Sequence, residues 1–348
     1  MKAFIDMHHG ELYESLRILF QDRLGYEVYR PIGLDWYEKG YWMVHDSPET
    51  ANQYLGMHLL DTDIPESFRA QGATAMNIGF VENSPGIYTI ATPEYDVFHK
   101  AVTLDAFKEM KFDILVSSIP SHISIFNKLV SEYQQSAKHI FQIGNNWKAP
   151  YPEVKNILTS SLYGVTSETN CVFYHQEFST KIFSKVECIS PQSVFNMMHY
   201  MQNPELFSEI SKVVPAWKFY AYGAGNPNGP CSPHIVKVAE IFKNNGFLWH
   251  VKSQGDGYGY NIHHAFACGR PIITKVSDFK GMTASQLLVD GETCIDIENR
   301  SPKEIAEKMV VFSLDYNTIS NNVYSKFREV VDFDSEFDSI KKFMENLI

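Results

Sequence analysis

The sequence contains few cysteines, and none of them form a C-x-x-C pair. The five cysteines are odd in number and widely spaced: Cys171, Cys188, Cys231, Cys268 and Cys294. This spacing argues against a disulfide framework and against a structural zinc site. Scattered free thiols suit a reducing compartment, so we expect a cytoplasmic protein.

Long apolar runs are also absent. No stretch approaches the roughly 18 consecutive apolar residues that a membrane span requires. The first ten residues carry one lysine and only a few apolar side chains before Asp6. They lack the apolar core of a secretory signal and predict a first β-strand instead.

Clustered positive charge is a third absence. The net charge is -11, and no run of five or more lysines and arginines occurs. Nucleic-acid binding by counterion release depends on clustered cations, so the composition argues against it but leaves room for a local basic groove. The acidic pair Asp61-Thr-Asp63 falls in a predicted loop of the first half, and we predict no metal site.

Strand and helix patterns alternate along the chain, which predicts an α/β fold. A length of 348 residues favours two domains. KAFIDMH, EVYRPIG, KFDILVSSI and KHIFQIG read as strands of the first half, and WKFYAY, FLWHVK and PIITK as strands of the second. With helical patterns between them, they predict parallel sheets covered on both faces. We place the domains at 1–170 and 171–325, with a C-terminal helix, 326–348, crossing back. Residues 37–100 have many turn residues and weak periodicity, so their sequence predicts no strand order.

A glycine pair after strand WKFYAY imitates a dinucleotide-binding turn. Gly223-Ala-Gly225 has the spacing, but Pro227 and Pro230 interrupt the place where a phosphate-binding helix should open. The next strand ends in Lys252, where a ribose-binding acid is expected. The pattern therefore predicts a tight turn and argues against nicotinamide chemistry.

The stretch DGYGYNIHHAFACGRPIITK, residues 256 to 275, combines a turn, a short helix and a strand. Gly269 and Pro271 predict where the helix ends. At its start, Gly257 and Gly259 flank Tyr258, which leaves backbone N–H groups uncovered at the positive end of the helix dipole. Such a site favours a diphosphate.

The periodicity of this helix separates its two faces. Ile262, Ala265 and Phe266 share one face, which we expect to pack on the sheet. The spacing then predicts that His264 projects from the opposite face, toward a cleft or toward solvent. His263 is interpreted as structural.

This stretch resembles the donor-binding segment of retaining GT-B glycosyltransferases of the family-4 type. In that family a Glu, seven residues and a second Glu precede an Ala-Met-Ala-Cys-Gly-x-Pro run, and here AFACGRPII occupies that run. GMTASQLLVDGETCIDIE, residues 281 to 298, is similar to the next piece of the fold. The resemblance implies two Rossmann-like parallel-sheet domains facing a cleft. It also implies sugar transfer from a nucleotide-diphosphate sugar, without a cofactor or a metal.

The resemblance also implies roles for individual residues. Asp256 occupies the position of the first Glu and would contact hydroxyls of the donor sugar. His264 occupies that of the second Glu and would contact the ribose. The backbone around Tyr258 would bind the phosphates. The donor-binding residues expected in full are Asp256, Gly257, Tyr258, Gly259, Tyr260, His264, Gly223, Lys185 and Lys252.

The cation that neutralises the phosphates is not identified by the sequence. Family members often carry an Arg and a Lys at the start of the second domain, and no Arg-x-x-x-x-Lys pair is evident here. Lys185, Lys252, Arg270 and Lys275 are the candidates.

On the acceptor side, the first strand ends in polar residues at the edge where a cleft is expected. An inverting enzyme would need a base there, and Asp6 or His8 suits that role; a retaining enzyme can let the departing phosphate take the proton. His9 and Glu11 equally suit capping of the following helix. Asn145, after strand KHIFQIG, is a further candidate.

Three functions stay open at this point. The first is a retaining, metal-independent glycosyltransferase acting on a glycan, a lipid-linked sugar or a small molecule. The second is a transferase that glycosylates modified DNA bases, as some viral enzymes do. The third is a catalytically silent nucleotide-sugar-binding protein.

Overall fold

Two β-sheets organise the structure. A computed structural model describes residues 1–6, 10–32, 35–41, 79–92, 97–144, 151, 153–162, 169–229 and 235–347. A nine-stranded sheet lies within residues 2–173, and a five-stranded sheet lies within residues 190–296. None of the helices in these ranges is long and apolar enough to cross a bilayer.

The strands are numbered in chain order. They are β1 (Lys2–Ile5), β2 (Glu27–Pro31), β3 (Gly79–Ser84), β4 (Ile87–Thr92), β5 (Val97–Val102), β6 (Ile114–Ser117), β7 (Lys138–Ile143), β8 (Asn156–Thr159), β9 (Asn170–Phe173), β10 (Ser190–Asn196), β11 (Lys218–Ala221), β12 (Asn245–Trp249), β13 (Ile272–Thr274) and β14 (Cys294–Asp296).

The α-helices of the described residues are α1 (Gly10–Arg17), α2 (Asp35–Glu38), α3 (Leu104–Glu109), α4 (Pro120–Glu132), α5 (Pro204–Val213), α6 (Ile235–Asn244), α7 (Tyr260–Ala267), α8 (Pro302–Leu314), α9 (Tyr316–Val330) and α10 (Phe333–Glu345). A π-helical segment, Ile18–Arg23, continues α1, and short 3₁₀ turns occupy Val276–Phe279 and Thr283–Gln286.

The first sheet has the order β3-β4-β5-β2-β1-β6-β7-β8-β9. The part of this order that runs β5-β2-β1-β6-β7-β8-β9 is parallel, as the alternation of strands and helices predicts. The β6 segment ILVS is buried throughout, which is typical of a parallel strand covered on both faces. Antiparallel pairing of β3, β4 and β5 forms one edge, in a region whose sequence predicts no topology.

The second sheet has the order β11-β10-β12-β13-β14 and is parallel throughout. Strand β10 lies between β11 and β12, although the weak pattern before α5 did not predict a strand there. The strand is therefore central, and the residues that follow it reach the carboxyl edge of this sheet.

The C-terminal helix α10 packs against the first sheet. Ile340, Phe343 and Met344 are buried in the same core as β1 and β6. The start of α10 is also tied to the segment between the sheets, because both the Nδ1 atom and the backbone N–H of His175 donate to the carboxylate of Glu336, at 2.5 and 2.6 Å. This helix thus joins the end of the chain to the first half.

Candidate active site

A cavity of about 630 Å³ lies where the two sheets face each other. Its walls carry residues that follow the carboxyl ends of β1, β6 and β7 in the first sheet and of β10 and β12 in the second. In parallel α/β sheets, ligands bind outside the carboxyl ends of the strands. The lining residues are Glu11, Leu12, Ser118, Gly144, Gln176, Met197, Met198, His199, Gln202, Lys252, Asp256, Gly257, Tyr258, Gly259, Tyr260 and Asn261.

The segment from Asp256 to Asn261, here called the donor loop, presents unpaired amides to this cavity. Helix α7 begins after Gly259, whose φ of 82° places it in the left-handed region, and no side chain caps the helix. Within the described residues, the N–H groups of Gly257, Tyr258 and Gly259 have no hydrogen-bond acceptor. Uncovered amides at the positive end of a helix favour an anion.

Two cationic or polar side chains hold the carboxylate of Asp256 in this loop. The Nζ of Lys252 donates to one oxygen, and Nε2 of the buried His250 donates to the other at 3.1 Å. Burial opposes ionisation of Asp256, but the hydrogen bond from His250 and the charge of Lys252 outweigh it and hold its pKa well below the ordinary value. Asp256 is therefore a carboxylate, with its side chain about one quarter exposed to the cavity.

The donor loop is fixed from behind by aromatic packing. The hydroxyl of Tyr258 donates to the carbonyl of Gln176 at 3.2 Å. The ring of His263 stacks on Tyr258 with centroids 4.0 Å apart, and its Nδ1 donates to the carbonyl of Gly259 at 3.0 Å. Tyr260 lies beside Tyr258, with ring centroids 5.1 Å apart. These contacts keep the free amides in place without a ligand.

His264 does not reach the cavity. Its side chain is 1% exposed and stacks on Phe183 at 3.7 Å, with Phe178 and Phe242 edge-on around it. Burial lowers the pKa of His264 to about 3. The prediction that this face of α7 looks toward the cleft or solvent is wrong, because a second aromatic layer covers it.

Three of the four candidate cations lie elsewhere. Lys185 donates to the side chain of Asn321. Lys275 pairs with Asp278 and Glu298, each at 3.5 Å. Lys252 alone among the candidates lines the cavity.

Arg270 is the fourth candidate, and it is buried. Its guanidinium donates to the carbonyls of Phe242, Lys243 and Val186, at 3.0, 2.6 and 2.9 Å. Two of these carbonyls belong to the last turn of α6, so Arg270 caps a helix and does not face the cavity.

Gly223 forms a tight turn behind the cavity wall. Its N–H donates to the carbonyl of Gly229 at 2.8 Å, so this amide is already used. A Cβ at this position, where φ is 111°, would lie 2.6 Å from the carbonyl oxygen of Met198. Glycine is required here because the turn packs against the segment that carries His199.

On the acceptor side, Asp6 is 2% exposed and committed to the structure. Its carboxylate accepts hydrogen bonds from the N–H and hydroxyl of Ser118, at 2.7 and 2.5 Å, and from Nδ1 of His122 at 2.9 Å. These bonds fix the start of α4. His8 and Asn145 lie outside the described residues.

We predict that Asp6→Ala lowers the free energy of unfolding by about 3 kcal/mol, because buried donors lose their charged acceptor. Thermal melting measures the effect. Asp105→Ala, at a side chain 90% exposed, is the control, and we expect less than about 1 kcal/mol. A variant at Asp6 that melts like the wild type but has lost turnover would instead indicate an accessible catalytic group.

Two titratable residues that the sequence did not assign to catalysis or donor binding line the cavity. Glu11 follows β1, and the sequence predicts for it only a possible helix cap. Its position after the carboxyl end of a parallel strand, which it shares with Asp6, is the signal that indicates a cleft residue. His199 follows β10, a strand that was not predicted. The N–H of Ala224 donates to Nδ1 of His199 at 2.8 Å, so in the neutral ring the proton is on Nε2.

Comparison by sequence finds no relative. No protein-family model matches the chain, and no curated protein matches it.

Comparison by structure finds proteins that align along nearly the whole chain. HepE from Anabaena, solved with UDP, has a TM-score of 0.60 at 10% identity and covers 99% of both chains. Sucrose-phosphate synthase from Thermosynechococcus elongatus has a TM-score of 0.60 at 8% identity and covers 100% of this chain and 99% of that one. An alpha-glucosyltransferase in complex with UDP-glucose and DNA containing an abasic site has a TM-score of 0.57 at 11% identity and covers 98% of both.

These likenesses confirm the predicted fold. The chain is an α/β protein of GT-B architecture, with two Rossmann-like parallel sheets facing a cleft. The structural alignments, with TM-scores near 0.6, establish the fold. Because the sequence identities are only about 10%, function has to be argued from the site.

Proposed function

We propose that this protein is a glycosyltransferase that moves a sugar from a uridine-diphosphate sugar to an acceptor hydroxyl. The observation that carries the proposal is the row of free amides at Gly257, Tyr258 and Gly259, opening on the cavity between the sheets. Similar structures were solved with UDP and with UDP-glucose, which supports this nucleotide. The proposal covers hexose and pentose donors.

In this proposal the donor loop binds the donor from phosphate to sugar. The amides of Gly257 to Gly259 bind the diphosphate, and Lys252 supplies the neighbouring positive charge. Asp256, kept ionised by its partners, accepts hydrogen bonds from hydroxyls of the sugar. The leaving diphosphate is then stabilised by fixed dipoles and one cation, which is electrostatic catalysis by a preorganised site.

We propose that transfer is metal-independent and retaining, as in the family-4 type. The unpaired amides of the donor loop and the charge of Lys252 can neutralise the diphosphate, which supports the first point. The resemblance of residues 256–275 supports the second. No cofactor beyond the nucleotide sugar enters the proposal.

Glycosylation of modified DNA bases is a second candidate function. A structural neighbour solved with DNA favours it, and the net charge of -11 argues against it. Duplex DNA binding that weakens steeply with salt would support this acceptor, and no binding at low salt would exclude it.

A thermal-shift titration tests donor binding. UDP at a hundredfold excess over its dissociation constant is expected to stabilise the folded protein by about 2.7 kcal/mol. UMP lacks the second phosphate and is expected to stabilise less than UDP, with uridine weakest, because the amides bind phosphate. Chelation by EDTA is expected to leave the UDP shift unchanged.

Equal shifts by uridine and UDP would contradict a phosphate site at the donor loop. Release of UDP from UDP-glucose, UDP-galactose or UDP-xylose then separates an enzyme from a silent binder. Binding without any release, even with added sugars and polyols as acceptors, would favour the silent protein.

We also propose a cytoplasmic location. None of the described cysteines, Cys171, Cys188, Cys268 and Cys294, forms a disulfide, which suits a reducing compartment.

A further inference from the structure

Glu11 faces the donor loop from the other side of the cavity. It lies in the first turn of α1, just after β1, and lines the same cavity as Asp256 and Tyr260. A diphosphate on the loop amides directs its attached sugar into this space. The acceptor must then approach from the wall formed by Glu11, Leu12 and Ser118.

The carboxyl group of Glu11 has no hydrogen-bond or ion-pair partner among the residues that the structure describes. Asp256, the other acidic residue of the lining, is held by Lys252 and His250, and Asp6 is buried behind Ser118. Glu11 is therefore the carboxyl group in this cavity that is free to exchange a proton with a ligand.

The surroundings of Glu11 bring its titration close to neutral pH. Burial, and next the negative charge of Asp256, raise the pKa of Glu11 to about 7. The other titratable groups that line this cavity are Tyr258 in the donor loop, Tyr260 on α7, Lys252 after β12 and His199 after β10. A general base is most efficient when its pKa is near the operating pH.

We propose that Glu11 is the general base that takes the proton of the acceptor hydroxyl, an inference that rests on the proposed glycosyltransferase function. As the acceptor oxygen bonds to the anomeric carbon, the bond from that carbon to the diphosphate oxygen breaks, and its electron pair leaves with UDP. The hydroxyl proton moves to the Glu11 carboxylate and then to solvent. This assignment replaces Asp6 as the acceptor-side base, the role that an inverting enzyme needs, so its confirmation would favour inverting over retaining transfer.

The test measures UDP release from UDP-glucose with water as acceptor, in wild type, Glu11→Gln and Glu11→Asp, across pH 5.5 to 9. For the wild type, kcat/KM is expected to rise with pH through about 7, because the ionised carboxylate is the active form. In Glu11→Gln, kcat/KM is expected to fall on the order of 10²-fold or more and to lose its dependence on pH. Glu11→Asp is expected to keep part of the rate and the rising profile.

UDP affinity by calorimetry separates the two proposals. Glu11→Gln is expected to bind UDP within about twofold of wild type, since the loop amides are untouched. Glu109→Gln, an exposed glutamate outside the cavity, makes the same charge change and is expected to match wild type throughout. Wild-type turnover and pH profile in Glu11→Gln would overturn the base assignment alone, whereas no UDP binding by the wild type would overturn the proposed function and this inference together.

A measurement without turnover checks the premise. Because the pKa of Glu11 is raised from 4.5 to about 7 by folding, the folded state loses stability as pH rises from about 4.5 to about 7, and the loss is complete above that range. Glu11→Gln is therefore expected to melt at a higher temperature than wild type at pH 8 and at nearly the same temperature at pH 4.5. Equal melting temperatures at both pH values would contradict a buried, proton-exchanging carboxyl group.

Discussion

Replacement of Asp256 by asparagine is expected to lower kcat/KM for UDP-sugar turnover roughly 10²-fold, or about 2.7 kcal/mol. Asparagine keeps the size of the side chain but removes the negative charge that accepts hydrogen bonds from the sugar. Charge-assisted hydrogen bonds contribute about 1.5–3 kcal/mol each, which sets the magnitude. Steady-state kinetics of UDP release measures it.

The same change also frees Lys252 from its partner. UDP affinity is therefore expected to fall less than turnover, because Lys252 and the loop amides still face the phosphates. Asp278→Asn is the matched control, since Asp278 pairs with Lys275 outside the cavity at 3.5 Å. Wild-type turnover in Asp256→Asn would refute the proposed contact between this carboxylate and the donor sugar.

Replacement of Arg270 by alanine is expected to lower the free energy of unfolding by about 4 kcal/mol. The change removes the donor of three carbonyl groups, one buried at Phe242 and two partly buried at Lys243 and Val186, and leaves a cavity in place of a fully buried side chain. An unsatisfied buried polar group costs about 1–3 kcal/mol, and truncation of a large side chain adds to that. Thermal and urea unfolding measure the loss.

Arg270→Lys is expected to recover only part of this stability. The guanidinium of arginine spreads its N–H donors over a plane and reaches three carbonyls, whereas the single ammonium of lysine cannot reach all three. Arg328→Ala, at an exposed position on α9, is the control and is expected to melt like wild type. Folded Arg270→Ala should bind UDP normally. Lost UDP affinity with unchanged stability would instead return Arg270 to the phosphate site.

The geometry of the donor loop could be predicted from the local sequence. Glycines on both sides of Tyr258, followed by a short helix that Gly269 ends, predict free amides at a helix start, and the structure has them there. Asp256 and Lys252 were also assigned to the donor site from sequence, and both line the cavity. These predictions depend on backbone geometry within about twenty residues.

Other assignments failed because they depended on distant packing. The helical periodicity of α7 separates two faces, but it does not show that Phe178 and Phe183 cover the face carrying His264. Lys185 and Arg270 are both candidates for the phosphate-binding cation in the sequence. In the structure, Lys185 donates to Asn321 and Arg270 caps α6.

The amino-acid order was enough to predict the alternation of strands and helices, the parallel sheets and the turn with unpaired amides at Gly257 to Gly259. Each of these follows from periodicity, glycine conformation and helix polarity, which act over short distances along the chain. The folded chain was needed to show that Glu11, His199 and Asp256 share one cavity while Asp6 and His264 are buried. The burial and electrostatic environment of a side chain are set by segments a hundred or more residues away, and the chain order does not record them.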